Sequence, residues 1–137
     1  MFSGIIFMEK QDYSFKKGER LSNKKTITQL FSSGKSFVVF PFRIIYLPNP
    51  ATENDCTTQI LVSVSKKRLK SAVKRNRIKR LVRETYRIDK SLLNQPLHPN
   101  CKQTWIIAFI YIDTKIHPFS FIQKKMQEVL QKINTLS

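Results

Sequence analysis

The segment Thr104-Trp105-Ile106-Ile107-Ala108-Phe109-Ile110-Tyr111-Ile112 limits what this chain can fold into more than any other stretch, because after Thr104 every residue is apolar. It is far shorter than the roughly 20 residues of a membrane-spanning helix. Rich in β-branched and aromatic side chains, it reads as a strand buried on both faces, which places it at the centre of a sheet. The rest of the chain must supply its neighbours and its cover.

Ser22 precedes a helical pattern over Asn23 to Ser33, with Ile27, Leu30 and Phe31 on one side and Gly34 placed to end it. Phe37 to Phe40 and Phe42 to Leu47 follow, broken by Pro41 and closed by Pro48-Asn49-Pro50, and read as two short strands or one bent edge strand. Ala51 to Thr58 is a polar loop. In Gln59 to Ser65, Ile60, Val62 and Val64 alternate with Leu61, Ser63 and Ser65, which predicts a strand. From about Ser71 to Leu93 the residues Ile78, Leu81, Val82, Thr85, Tyr86, Asp89, Leu92 and Leu93 recur at steps of three and four. That is one face of an amphipathic helix, with Asn76, Arg80, Arg83, Arg87 and Lys90 opposite. After a loop containing Pro96 and Pro99 and then the apolar strand, Pro118 opens a last helix, whose Phe119, Ile122, Met126, Val129, Leu130 and Ile133 face the core. The order is α-β-β-β-α-β-α, a single-domain α+β sandwich of helices around a central sheet.

Charge narrows the function. The chain of 137 residues carries a formal net charge of +16. Such a surface repels itself unless an acidic partner screens it, and nucleic acid is the commonest one. Ten of the 25 Lys and Arg residues fall between Lys66 and Arg83, and no Asp or Glu occurs between Asp55 and Glu84. A merely solvated helix face would place acids at i, i+4, whereas unpaired like charges cost a few tenths of a kcal/mol per pair. Arg75, Arg77, Arg80 and Arg83 supply planar donor forks suited to phosphate, and Asn76 adds a neutral group able to bond a base edge, a 2′-hydroxyl or its own helix backbone. Phe31, Phe37, Phe40, Phe42 and Tyr46 are mostly core, though one or two facing a groove would form a stacking platform for single strands.

Protein-borne catalysis finds little support. The nine acids are dispersed, and His98 and His117 lie in loop-like sequence with no partner at metal-ligand or base spacing. With Gly4, Gly18 and Gly34 alone, no glycine loop cradles phosphate. Cys56 and Cys101 form no Cys-x-x-Cys pair, so reduced structural cysteines in the cytoplasm are the default. Residues 1–14 read as a flexible N-terminal extension, with Met8 an alternative start, and residues 15–134 as the folded domain.

Ser63-Val64-Ser65-Lys66-Lys67, followed by Ala72-Val73-Lys74-Arg75-Asn76-Arg77-Ile78-Lys79-Arg80-Leu81-Val82-Arg83-Glu84, resembles the protein component of bacterial ribonuclease P. The likeness extends to Arg20-Leu21, to Gly34 and to the order of elements. It implies an unusual left-handed β-α-β crossover, against the strong right-handed preference. It also implies a basic subunit that binds a catalytic RNA and the 5′ leader of precursor tRNA, within a holoenzyme that removes that leader by hydrolysis. The RNA carries the chemistry, with Mg²⁺ held mainly by RNA and none by the protein alone, and neither a membrane nor a protein partner is needed. In this resemblance Lys66, Lys67, Arg75, Asn76, Arg77, Lys79, Arg80 and Arg83 meet the catalytic RNA, while Phe31, Tyr46 and Ile27 line the leader cleft. The family usually has a glycine after the Lys-Lys pair, where Arg68-Leu69-Lys70-Ser71 is glycine-free and one residue longer, and an aromatic where Ile27 stands. A ribosomal or RNA-assembly protein with no part in cleavage is the alternative that composition fits equally.

Overall fold

The computed structural model describes residues 20–49, 58–93 and 104–136. The N-terminal extension, Met8, Cys56, Cys101, His98 and most of the two predicted loops lie outside those residues. The elements are α1 (Lys24–Ser33), β1 (Lys35–Val39), β2 (Phe42–Asn49), β3 (Gln59–Val64), α2 (Ala72–Asp89), β4 (Thr104–Tyr111) and α3 (Phe119–Leu136), with a 3₁₀ turn at Lys90–Leu92 after α2. The predicted order α-β-β-β-α-β-α holds.

The four strands form one mixed sheet in the order β1-β2-β4-β3, so the apolar segment is an inner strand. β4 runs antiparallel to β2, with Ile44 opposite Phe109, and parallel to β3, with Val62 opposite Phe109. The parallel pair is joined through α2 as a β-α-β unit. Alternate residues of β4 enter different cores. Trp105, Ile107, Phe109 and Tyr111 face α2 and α3 in the larger one, with Ile78, Val82, Tyr86, Ile122, Met126 and Leu130. Ile106 and Ala108 face the other way, onto Leu21, Leu30 and Ile45, where α1 gives cover. Each large apolar side chain so buried contributes on the order of 1.5–3 kcal/mol, and β4 collects this on both faces.

Local chemistry sets the element ends. Asn23, rather than Ser22, caps α1, its Oδ1 accepting from the Lys25 amide at 2.9 Å and the Thr26 amide at 3.4 Å. Gly34 ends α1 with ordinary extended angles, φ −72° and ψ 151°. Glycine is needed there for space, because a Cβ would lie 2.4 Å from the Leu30 carbonyl oxygen and 2.8 Å from Ile45 Cγ2. Pro41 separates β1 from β2 as a turn, giving two strands. β2 runs through Pro48 to Asn49, and beyond Tyr46 it has only β4 beside it, since β1 begins opposite Tyr46 at Lys35. A proline is tolerated on such a half-free stretch.

Ser71 caps α2 by accepting from the Lys74 amide. The helix ends at Asp89, before the predicted Leu93, and the chain tightens into the 3₁₀ turn that buries Leu93. Lys90, expected on the outer basic face, is buried instead, where the 3₁₀ turn begins.

Candidate nucleic-acid interface

α2 presents its basic face beside an unexpected partner. The segment just before α1 runs along the outer edge of β3, where Arg20 bridges Ile60 and the Leu21 amide donates to the Ile60 carbonyl at 2.8 Å. That brings Arg20 against α2. Arg20, Asn76, Lys79, Arg80, Arg83, Glu84 and Arg87 together line an open groove of about 670 Å³. Burial, and then the nearby Arg20 charge, hold the Arg83 guanidinium below its ordinary range. Like charges pressed together in a cleft form a preorganised anion site, since a bound phosphate relieves the repulsion.

The one acid in the groove is already engaged. Glu84 and Arg87, three residues apart on α2, form an ion pair, with Arg87 Nε 3.3 Å from Glu84 Oε2. The hydrogen bond from Arg87 holds the Glu84 carboxyl below the usual glutamate range and, reciprocally, raises Arg87. A divalent cation would meet four further arginines and lysines here, so the groove's chemistry suits anions. Among the described residues no three of His, Cys, Asp and Glu lie together as metal ligands would. No described helix is long and apolar enough to cross a membrane.

The residues predicted to meet the catalytic RNA do not share one place. Asn76, Lys79, Arg80 and Arg83 share the groove. Asn76 is exposed there, and since Ser71 does the capping, its backbone alternative is filled by another residue. Arg77 is exposed on α2 outside the groove, near the 78% exposed Val73 one turn earlier. Lys66 and Lys67 are exposed on the turn after β3.

Arg75 is tied to the turn before α2. Its Nη1 donates to the carbonyls of Leu69 at 2.8 Å and Lys70 at 2.9 Å, bracing the glycine-free turn. The Ser65 carbonyl accepts from the Arg68 and Leu69 amides, Leu69 is buried in the larger core, and Arg68 Nη1 donates to the Ile112 carbonyl at 2.8 Å. The turn thus holds its shape through side chains in place of glycine.

The three residues expected to line a leader cleft are not brought together. Ile27 and Phe31 lie one turn apart on α1, Ile27 packed on the smaller core and Phe31 48% exposed. Exposed on the sheet face that α1 only partly covers are Val38 and Arg43, which pair across β1 and β2. Tyr46 is on the opposite face, 6% exposed, with its ring edge-on to Phe37 at 5.6 Å and to Trp105 at 5.7 Å. It is a core residue, because Phe42, Ile44 and Tyr46 alternate with Arg43 and Ile45. Phe42 and Phe37 turn inward with it, the first fully buried. Phe40 is 52% exposed at the β1–β2 turn. Sequence spacing missed Arg20, whose proximity to α2 is a tertiary contact. The exposed charge of Arg43 within an apolar strand was the signal for the open face.

The model of the Ribonuclease P family matches residues 15–134. A ribonuclease P protein component from Porphyromonas gingivalis is 40% identical over 122 residues, covering 88% of this chain and 87% of the relative. Among solved structures, the Staphylococcus aureus RNase P protein superposes with a TM-score of 0.67 at 24% identity, over 87% of this chain and 98% of that one. The Thermotoga maritima RNase P protein gives 0.67 at 22% identity, over 83% and 96%. The fold is therefore theirs.

Proposed function

The chain belongs to the ribonuclease P protein family, and from that membership we propose that it binds the catalytic RNA of ribonuclease P and the 5′ leader of precursor tRNA. The observation that supports this most is the groove in which Arg20 joins Asn76, Lys79, Arg80 and Arg83. Its work is electrostatic. Each phosphate neutralised there releases counterions and lowers the repulsion between two polyanions, so the complex forms at a lower divalent-cation concentration. The hydrolytic step belongs to the RNA and to the Mg²⁺ it holds, while the protein contributes affinity and position.

Two surfaces divide the labour. The α2 groove, with Arg77 and the exposed Lys66 and Lys67, takes the structured catalytic RNA. The half-covered sheet face takes the unpaired leader, with Phe31 offering a ring for stacking, Ile27 an apolar floor and Arg43 a charge for phosphate. Tyr46 serves this surface only by supporting the sheet beneath it.

The test mixes purified protein, cognate catalytic RNA and a leader-bearing precursor tRNA at low Mg²⁺. Accelerated 5′ cleavage relative to RNA alone is the expected result. Equal rates with and without protein overturn the assignment, and a preparation that copurifies with ribosomal RNA would favour the RNA-assembly alternative.

A further inference from the structure

β3 and β4 are parallel, so the turns that follow them leave the sheet at the same end. The first carries Lys66, Lys67 and Arg68, and Arg68 ties it to the second through the Ile112 carbonyl. The second turn, residues 112–118, holds a rigid arrangement that the groove does not use. Asp113 Oδ1 accepts from the Thr114 amide at 2.7 Å and the Lys115 amide at 3.3 Å, and its Oδ2 pairs with His117 Nε2. The Tyr111 hydroxyl donates to the Lys115 carbonyl. Burial pushes the Asp113 carboxyl up, but the hydrogen bonds from His117 and the two amides outweigh it and hold the group below the usual aspartate range.

This fixes the His117 ring and gives it, in Asp113 four residues earlier, a partner that the sequence reading did not find. It stacks on Phe121 at 4.3 Å between centroids and 30° between planes, and Lys125 Nζ lies 5.5 Å from the centroid of Phe121. With one face on Phe121 and its Nε2 edge on Asp113, the imidazole keeps 24% of the side chain exposed. That exposed part is where a planar partner would reach the ring. Exposed Lys115 lies two residues away on the same turn, and exposed Lys66 and Lys67 stand on the turn that Arg68 ties to it.

We propose that the His117 ring is a stacking site for one unpaired RNA base, with the lysines of these two turns taking the phosphates that flank it. This rests on the reading of the chain as an RNA-binding subunit. The ligand chemistry is an unpaired nucleotide within a strand, whether from the catalytic RNA or from the precursor leader. An immobilised ring gains more from stacking than a mobile one, because its ordering entropy is already spent.

The full chain is titrated with a labelled adenosine 12-mer and with an abasic 12-mer of equal charge. His117→Ala should weaken the adenosine oligomer at least about fivefold, the lower end of what loss of one stacked base costs, and leave the abasic one unchanged. His117→Phe, which keeps a ring, should stay close to the parent. The proposal is overturned if His117→Ala binds the adenosine oligomer like the parent, if it loses equally on the abasic one, or if His117→Phe is as weak as His117→Ala. The source follows from repeating His117→Ala with the catalytic RNA and, in the holoenzyme, with precursor bearing or lacking a leader. A loss in assembly assigns the base to the catalytic RNA, a loss that requires the leader assigns it to the substrate, and no loss in either also overturns the site. Arg80→Gln keeps the two readings apart. Unchanged binding of every RNA by that variant would remove the RNA-binding reading itself, whereas weakened binding with His117→Ala unaffected removes the stacking site alone.

Discussion

Replacing Arg20 and Arg80 together by glutamine tests whether the groove is one phosphate-binding surface assembled from two distant parts of the chain. The two side chains are 60 positions apart in sequence (80 − 20) yet line the same cleft. If each contacts one phosphate, the log–log salt dependence of affinity for the catalytic RNA should flatten by roughly 0.7 to 0.9 per residue, or about 1.4 to 1.8 for the pair. Over a tenfold rise in salt the variant should then lose about 25- to 60-fold less affinity than the parent. Filter binding or anisotropy at five or six salt concentrations gives the slope directly. The control replaces Lys35 and Lys124, both exposed, on β1 and α3 and outside the groove, by glutamine. Equal flattening by the control would mean that net charge alone is being measured. A slope unchanged by Arg20→Gln on its own would refute the claim that the N-terminal segment completes the site.

Glu84→Gln should steepen the same salt dependence by roughly 0.7 to 0.9, since the groove loses the one acid in its lining and the Arg87 charge is no longer neutralised by it; an unchanged slope would place the Glu84–Arg87 pair beyond reach of the RNA. Gly34→Ala should destabilise the fold by about 2–4 kcal/mol, combining overpacking with loss of the hydrogen bond from the Gly34 amide to the Leu30 carbonyl. Urea denaturation would refute this with a change below about 0.5 kcal/mol, within the range of an ordinary surface substitution. Phe31→Ala should lower leader-dependent affinity about 5- to 150-fold with little effect on the unfolding midpoint. Tyr46→Ala should do the reverse, costing about 3–5 kcal/mol of stability as a buried aromatic does, and a selective loss of leader affinity there would return Tyr46 to the binding surface.

Periodicity over short windows made much of this fold readable. Trp105 to Ile112, the alternation around Ile60, Val62 and Val64, and the stripe from Ile78 to Tyr86 each carry their burial in adjacent residues, and each is buried as its pattern predicts apart from Leu81, Ile110 and Ile112, which are half-buried. What spacing could not show depends on contacts between distant segments. Arg75 looks like its neighbours Arg77 and Arg80, but the turn it braces needs carbonyl partners that only the folded loop presents. Arg20 becomes part of the groove only because Leu21 bonds to β3. The side of the sheet on which Tyr46 falls was legible in principle, since Arg43 marks the open face and Tyr46 has the opposite parity. A likeness of position to a cleft aromatic obscured that parity.

The sheet order also governs how the molecule can come into being. β4 is the last strand in the chain and yet lies between β2 and β3, so among the described strands β3 has no neighbour until it arrives, and only the Arg20–Leu21 segment is bonded to its other edge. Roughly 40 residues separate Val64 from Thr104, or about 2–8 s of synthesis at 5–20 residues per second. During that interval the apolar stripe of α2 has no completed sheet to pack on, and helices seldom persist on propensity alone. Core closure and the arrangement of cations on α2 should therefore arise in a single late step of long-range strand insertion. A nascent chain too short to include β4 would carry the whole Lys66 to Arg83 sequence and still lack the shape that recognises RNA.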